Sequence, residues 1–216
     1  KPLNDLGEDD LYDVILMNPP FWWTIKDGSE QNFPLQFRTK ETANLFMVLI
    51  METLKNNGKA WIVLPDGFLF AEWIETRIKE KLLDESNLHT IIRLPKSVFA
   101  PYASVATNLL FFTKGEPTKE IWYYRADMPE GYKAFSKTKP IQLKHLDCAK
   151  DWWNNRVEIK DGNILMSKVT SVDKSRNGKV GSKNATILFN EKIGTIVKNI
   201  DSGIYGFYTS ILPNSR

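Results

Sequence analysis

The stretch Tyr12-Asp13-Val14-Ile15-Leu16-Met17-Asn18-Pro19-Pro20-Phe21 decides the fold. Residues 12–17 are a short, nearly continuous apolar run, which suits a strand of a parallel sheet covered on both faces. Proline cannot donate to a sheet ladder and fixes its own backbone, so Pro19 and Pro20 end the strand and stiffen the chain beyond it. The sequence therefore predicts a rigid turn at the carboxyl end of a central strand. In open α/β sheets that edge is where ligands bind.

The chemistry such a turn supports is narrow. The Asn18 amide oxygen and the Pro19 carbonyl, held by stiff backbone, are two acceptors in fixed directions, suited to an exocyclic amino group with two hydrogens. Phe21 adds a flat apolar face, and stacking a base on an aromatic side chain contributes about 1–3 kcal/mol. Together they describe a pocket for a planar heterocycle bearing an NH2 whose lone pair is free to attack an electrophile. An adenine N6 undergoing alkylation fits this description.

The pattern continues downstream. Residues 44–57 (NLFMVLIMETLKNN) predict a buried helix stopped by Gly58, and residues 59–65 (KAWIVLP) a second buried strand with Asp66-Gly67 turning the chain. Phe70, Ile74, Ile78 and Leu82 recur every four residues, the spacing of an amphipathic helix lying on a sheet. Residues 88–94 predict the next strand. A further strand over 105–113 comes after a loop too short for a parallel crossover, so it should run antiparallel.

Asn18-Pro19-Pro20-Phe21 after a hydrophobic strand resembles motif IV of the S-adenosylmethionine-dependent amino methyltransferases. With GKAWIVLPDGFLF (58–70), IIRLPKSVF (91–99), TNLLFFTKG (107–115), EIWYY (120–124) and GYKAFSKTKP (131–140), the chain is similar to the second half of the catalytic domain in methylation (M) subunits of type I restriction-modification systems. The similarity runs to about Arg156. It implies an α/β, Rossmann-like methyltransferase fold, represented by its carboxyl half: a mostly parallel sheet with a terminal antiparallel strand, over residues 1–115. A basic carboxyl-terminal extension, 116–216, would contact DNA or another subunit.

The resemblance also implies an activity, N6 methylation of DNA adenine with S-adenosylmethionine as donor. The base would be flipped out of the duplex, because N6 is out of reach of a methyl donor inside the stack. In that reading Asn18 and the Pro19 carbonyl accept from N6, Pro20 stiffens the turn and Phe21 stacks on the base. Phe99, in the loop before the antiparallel strand, lines the base pocket, with a core phenylalanine as the alternative. Implied partners are DNA, a specificity subunit that reads the sequence, and a restriction subunit. The same turn serves enzymes that methylate RNA bases or a protein glutamine amide, and a catalytically silent docking fragment is a third reading.

Two departures from the family pattern matter. Trp22 and Trp23 stand where a small residue usually comes after the motif, which alters the pocket entrance. The glycine-rich loop and ribose-binding acid that such a fold needs for its cofactor are missing, so the cofactor-contacting residues are expected upstream of Lys1.

Composition sets outer limits. At 216 residues and 42% hydrophobic, the chain can bury a sizeable core. One cysteine, Cys148, excludes an internal disulfide and fits a reducing, cytoplasmic setting. His89, His145 and that cysteine cannot build a usual zinc site, so no metal is expected. No apolar run is long enough to span a membrane. Residues 1–114 carry 12 Lys and Arg against 15 Asp and Glu, whereas residues 115–216 carry 17 against 11. The basic half includes a polar stretch, 167–184, that reads as a loop able to contact phosphate. Trp122, Tyr123, Trp152 and Trp153 suggest an aromatic surface for subunit contact.

These readings predict that residues 1–216 alone do not bind S-adenosylmethionine measurably, since one side of a cofactor cleft buries too little ligand. Calorimetric titration checks this. Saturable micromolar binding would reveal a cofactor site within the chain.

Overall fold

The computed structural model describes residues 2–21, 24–25, 28–71, 73–157, 159–161 and 164–170. Seven strands, β1 (Tyr12–Met17), β2 (Leu54–Pro65), β3 (Ser86–Arg93), β4 (Thr107–Lys114), β5 (Glu120–Arg125), β6 (Ile159–Asp161) and β7 (Ile164–Thr170), form one sheet in the order β1-β2-β4-β3-β5-β7-β6. β1 pairs with β2 in parallel, as does β3 with β5, and β4 lies between the two pairs, antiparallel to both neighbours. The antiparallel strand expected over 105–113 is present as β4, but it lies inside the described sheet rather than at its end. The pairs β5–β7 and β7–β6 are antiparallel too, so the sheet is mixed instead of mostly parallel. Residue 115 falls in the turn between β4 and β5, which belong to the same sheet.

Helices α1 (Thr42–Thr53) and α3 (Ile74–Glu85) cover one face of the sheet. Met47, Val48, Ile50 and Met51 from α1, with Ile78 and Leu82 from α3, pack against Ile62, Leu64, Leu88, Ile91, Leu110 and Phe112. Each such side chain, fully buried, contributes about 1.5–3 kcal/mol. Because side chains alternate along a strand, Ile92, Leu109 and Phe111 point to the other face. There α4 (Asp147–Asn154) sets Ala149 and Trp152 against Ile92 and Tyr124.

Several sequence expectations change in the structure. β1 is an edge strand of the described sheet: Ile15 and Met17 pack on the core, while Tyr12, Val14 and Leu16 are exposed, so the run is not covered on both faces. The first helix ends at Thr53, and Gly58 lies inside β2 rather than capping a helix. The β1–β2 register jumps from Tyr12↔Leu54 to Val14↔Lys59, so the intervening residues bulge out and Asn57 adopts φ 63°. A Cβ on Gly58 would come within 2.8 Å of the Lys55 carbonyl oxygen, which is why the bulge needs glycine there. An apolar run with a polar interruption, read as helix to its end, is a bulged strand in its second part.

The amphipathic helix expected through Phe70–Leu82 positions is two helices. α2 (Asp66–Phe70) stops before α3, and the fully buried Lys79 reaches back to donate to the carbonyls of Leu69 and Ala71, each at 2.8 Å. A cation at a helix carboxyl end satisfies acceptors that have no intrahelical donor. Tyr123 and Trp152 are buried, so the aromatic group foreseen as a contact surface is largely core. Of the stretch 167–184, residues 167–170 belong to β7 instead of a loop, and 171–184 lie outside the described residues. Among the described residues no helix is long and apolar enough to cross a membrane.

At the carboxyl end of the sheet a buried polar network joins three strands. Arg93, the last residue of β3, forms an ion pair with Asp66, and Asn108 of β4 donates to the same Asp66 oxygen at 2.9 Å. Removing one partner of a buried pair leaves the other charge uncompensated, so Asp66→Ala should destabilise the fold by about 3–5 kcal/mol. Urea unfolding measures this, and a loss below about 1 kcal/mol would show that the network does not hold the sheet edge.

His89 sits at a register shift between β3 and β4, its ring edge-on to Trp153 at 5.8 Å. Burial first, then the charges of Arg156 and Lys59, pull its pKa from 6.5 down to about 4. Between these values the unfolded chain takes up a proton that the folded chain refuses, so stability is lost as pH falls through that window and levels off below it. Unfolding free energy against pH should show this slope, reduced in His89→Gln. An unchanged slope would place the titration on another group.

Candidate active site

The turn after β1 places Asn18 and Pro20 at the surface, buries Pro19 and leaves Phe21 half-buried. The chain beyond it is tied down: Thr24 bridges to Glu41, and Ile25 N–H donates to the Lys40 carbonyl at 3.0 Å. Trp22 and Trp23 lie outside the described residues.

The second part of the site comes from loop 95–106, between β3 and β4. Its entry is fixed by Leu94 N–H donating to the Thr107 carbonyl at 2.9 Å, which closes the base of the loop. Inside it, the Phe99 carbonyl accepts from Tyr102 N–H at 2.9 Å and Ala103 N–H at 3.0 Å. Ser97 Oγ accepts from Phe135 N–H at 2.9 Å. These bonds hold Phe99 so that its half-buried ring meets Phe21 edge to face, with centroids 5.4 Å apart and planes at 73°. Two residues far apart in the sequence are thus brought together at the motif turn. An aromatic pair of this geometry gains about 0.5–1.5 kcal/mol beyond burial.

Behind Phe21 lies a cleft of about 540 Å³ whose wall includes Glu41, Asn44, Asp66, Glu75 and Ser104. The buried Asn44 amide donates to Glu75 Oε1 at 2.6 Å and to Glu41 Oε2 at 3.4 Å. Burial, and secondarily the charge of Glu75, hold the Glu41 carboxyl above its ordinary pKa. Phe21 is the motif residue that lines this cleft; Asn18, Pro19, Pro20 and Phe99 do not. The cleft thus has the Phe21 ring on its wall together with the Glu41 and Glu75 carboxyl groups, and Phe99 meets Phe21 from the neighbouring loop. Sequence reading did not single out Glu41, Asn44 or Glu75, which come from two separate helix starts and carry no spacing signal. Asp66 and Arg93 were read only as turn and strand.

The two glycines whose Cβ would collide with neighbours, Gly58 and Gly115, lie at the opposite end of the sheet from the motif turn; Gly67, beside it, has open space. Among the described residues no cluster of three or more His, Cys, Asp or Glu could hold a metal ion.

The sequence profile of the N-6 DNA methylase family matches residues 2–185. The chain is 51% identical over 158 residues to the type I restriction enzyme EcoEI methylase subunit of Escherichia coli, a match covering 73% of this chain and 32% of that subunit. It is 37% identical over 145 residues to the EcoKI methylase subunit of the same species, covering 62% and 26%. Thus the chain matches about a third or less of the length of these relatives. The crystal structure of a modification subunit of a putative type I restriction enzyme from Vibrio vulnificus superposes with a TM-score of 0.72 at 45% identity, over 78% of this chain and 36% of that one. The EcoKI M protein superposes with a TM-score of 0.60 at 25% identity, over 97% and 52%. These likenesses bear out the expected Rossmann-like α/β methyltransferase fold. A profile match that spans most of the sequence makes this chain a member of the N-6 DNA methylase family.

Proposed function

We propose that this chain is part of an enzyme that methylates N6 of DNA adenine with S-adenosylmethionine as donor, acting as the modification subunit of a type I restriction-modification system. The observation that carries the reading is the meeting of Phe21, the last residue of the motif turn, with Phe99 at the carboxyl edge of the sheet. Asn18 Oδ1 and the Pro19 carbonyl accept the two N6 hydrogens, which orients the amine. Pro19 and Pro20 keep both acceptors from relaxing toward solvent. The base packs against the face of Phe21, with Phe99 closing the pocket from the loop. Bound cofactor supplies an electrophilic methyl group; these residues contribute orientation, which by itself lowers a barrier substantially.

The cofactor-binding residues belong to the part of the longer protein that this chain does not cover. The second part of the catalytic fold extends past residue 115 to include β5, and the basic residues that come after β5 serve subunit or DNA contact. Sequence choice rests with a separate specificity subunit, and a restriction subunit completes the assembly. The likeness to type I methylase subunits supports this reading over RNA or protein-amide methylation.

In the full-length protein, Asn18→Ala should abolish methyl transfer while cofactor affinity changes by no more than a few-fold, because the amide meets the base. Phe21→Ala should weaken base capture by about 1–3 kcal/mol. Methyl transfer to DNA, with calorimetric titration of the cofactor, reads both. Near-normal turnover in Asn18→Ala would overturn the assignment.

A further inference from the structure

A second cleft, also of about 540 Å³, opens at the carboxyl ends of β3 and β5, and its wall includes Arg93, Lys96, Ser104, Arg125, Asp127 and Lys133. Arg93 and Arg125 are register partners on adjacent parallel strands, and both are buried, at 5% and 6% exposure. Burying two guanidinium groups side by side is unfavourable unless negative charge compensates them. Burial and, second, the charge of Arg125 lower the Arg93 pKa from 12.5 to about 9, which still leaves it protonated at neutral pH. Asp66 pairs with Arg93, while Asp127 holds Arg125 through Nε at 2.9 Å and Nη2 at 3.3 Å.

Among the described residues, four cations thus accompany two carboxylates. Lys96 is half-buried and Lys133 exposed, so the cleft is charged at its floor and at its mouth. Lys137 and Lys139 come after Lys133 along the chain, and residues 131–140 contain no acid. Planar guanidinium forks suit the oxygens of a phosphate, and lysines at a rim suit a backbone passing over it. Position points the same way. Ser104 lines both this cleft and the one behind Phe21, and Phe99 belongs to the same loop as Lys96.

We propose that this cleft binds a backbone phosphate of the DNA strand that carries the target base, with Arg93 and Arg125 at its floor and Lys96 and Lys133 at its rim. The inference rests on the proposed DNA adenine methylation. It gives loop 95–106 two contacts with one strand: Phe99 with the base and Lys96 with the adjoining backbone.

The test uses the full-length protein and two probes: a labelled single-stranded oligodeoxynucleotide containing adenine, and the same strand with methylphosphonates flanking that adenine. Lys96→Gln/Lys133→Gln, which leaves the buried arginines in place, should reduce the slope of log K against log salt by about 1.4, two contacts at about 0.7 each. The methylphosphonates should weaken wild-type binding but leave the double variant little changed. An unaltered salt slope, or wild-type indifference to the methylphosphonates, would overturn the proposal. So would competition by millimolar inorganic phosphate at constant ionic strength in a protein indifferent to the methylphosphonates, which would mark a site for free phosphate. Methyl transfer to unmethylated DNA, measured in parallel with the partner subunits present, separates the two levels. Transfer with an unaltered slope removes the phosphate site alone, whereas wild type that transfers no methyl group removes the DNA reading and this site together.

Discussion

The carboxylate of Asp66, shared by Arg93 and Asn108, is the constraint on which the functional edge of this sheet depends. Asp66 comes directly after β2, Arg93 ends β3 and Asn108 lies near the start of β4, so one side chain fixes three strand ends. Loop 95–106 leaves the sheet just after Arg93 and returns just before Asn108. Both its ends are therefore tied to the same carboxylate, and the ring of Phe99 is presented from a closed base rather than from a flexible excursion. Phe21 arrives from the other side, on a turn that two prolines stiffen. The aromatic pair exists because two independently rigid segments end at the same edge.

How much the sequence reveals depends on how local each feature is. The Pro19-Pro20 stop and the antiparallel run of β4 needed only the residues present and the length of one loop. The bulge in β2 was not legible. Residues 54–58 are apolar, then polar, then glycine, which is also how a helix ends, and only pairing with β1 shows that they are extended. The exposed face of β1 was missed for a related reason: an apolar run reports that its side chains can be buried, not that both faces are covered. Phe99 was singled out through family resemblance, with a core phenylalanine as the alternative, and its contact with Phe21 is a tertiary fact. Glu41, Asn44 and Glu75 carried no local signal. Their hydrogen bonds depend on how the starts of α1 and α3 meet.

Electrostatics divides this edge into two regions. Behind Phe21, Glu41 and Glu75 share one buried amide donor, and burial holds Glu41 toward its neutral form. Beyond loop 95–106, buried arginines and rim lysines leave a positive excess. A nucleotide has the matching asymmetry, an uncharged base joined to an anionic backbone. The loop between the two regions carries Phe99, which meets Phe21, and Lys96, which lines the basic cleft, so the proposed base capture and strand alignment would be coupled through a short piece of chain.

The central claim is that the motif turn presents an adenine amino group for methylation. Its most direct test is the chemical identity of the mark. DNA incubated with the full-length protein, its partner subunits and methyl-labelled S-adenosylmethionine is digested to nucleosides and resolved by mass spectrometry. Label is expected in N6-methyldeoxyadenosine, and its loss when Asn18→Ala replaces the wild type. Label in a methylated cytosine, or none in DNA while RNA or protein is labelled, would contradict the claim.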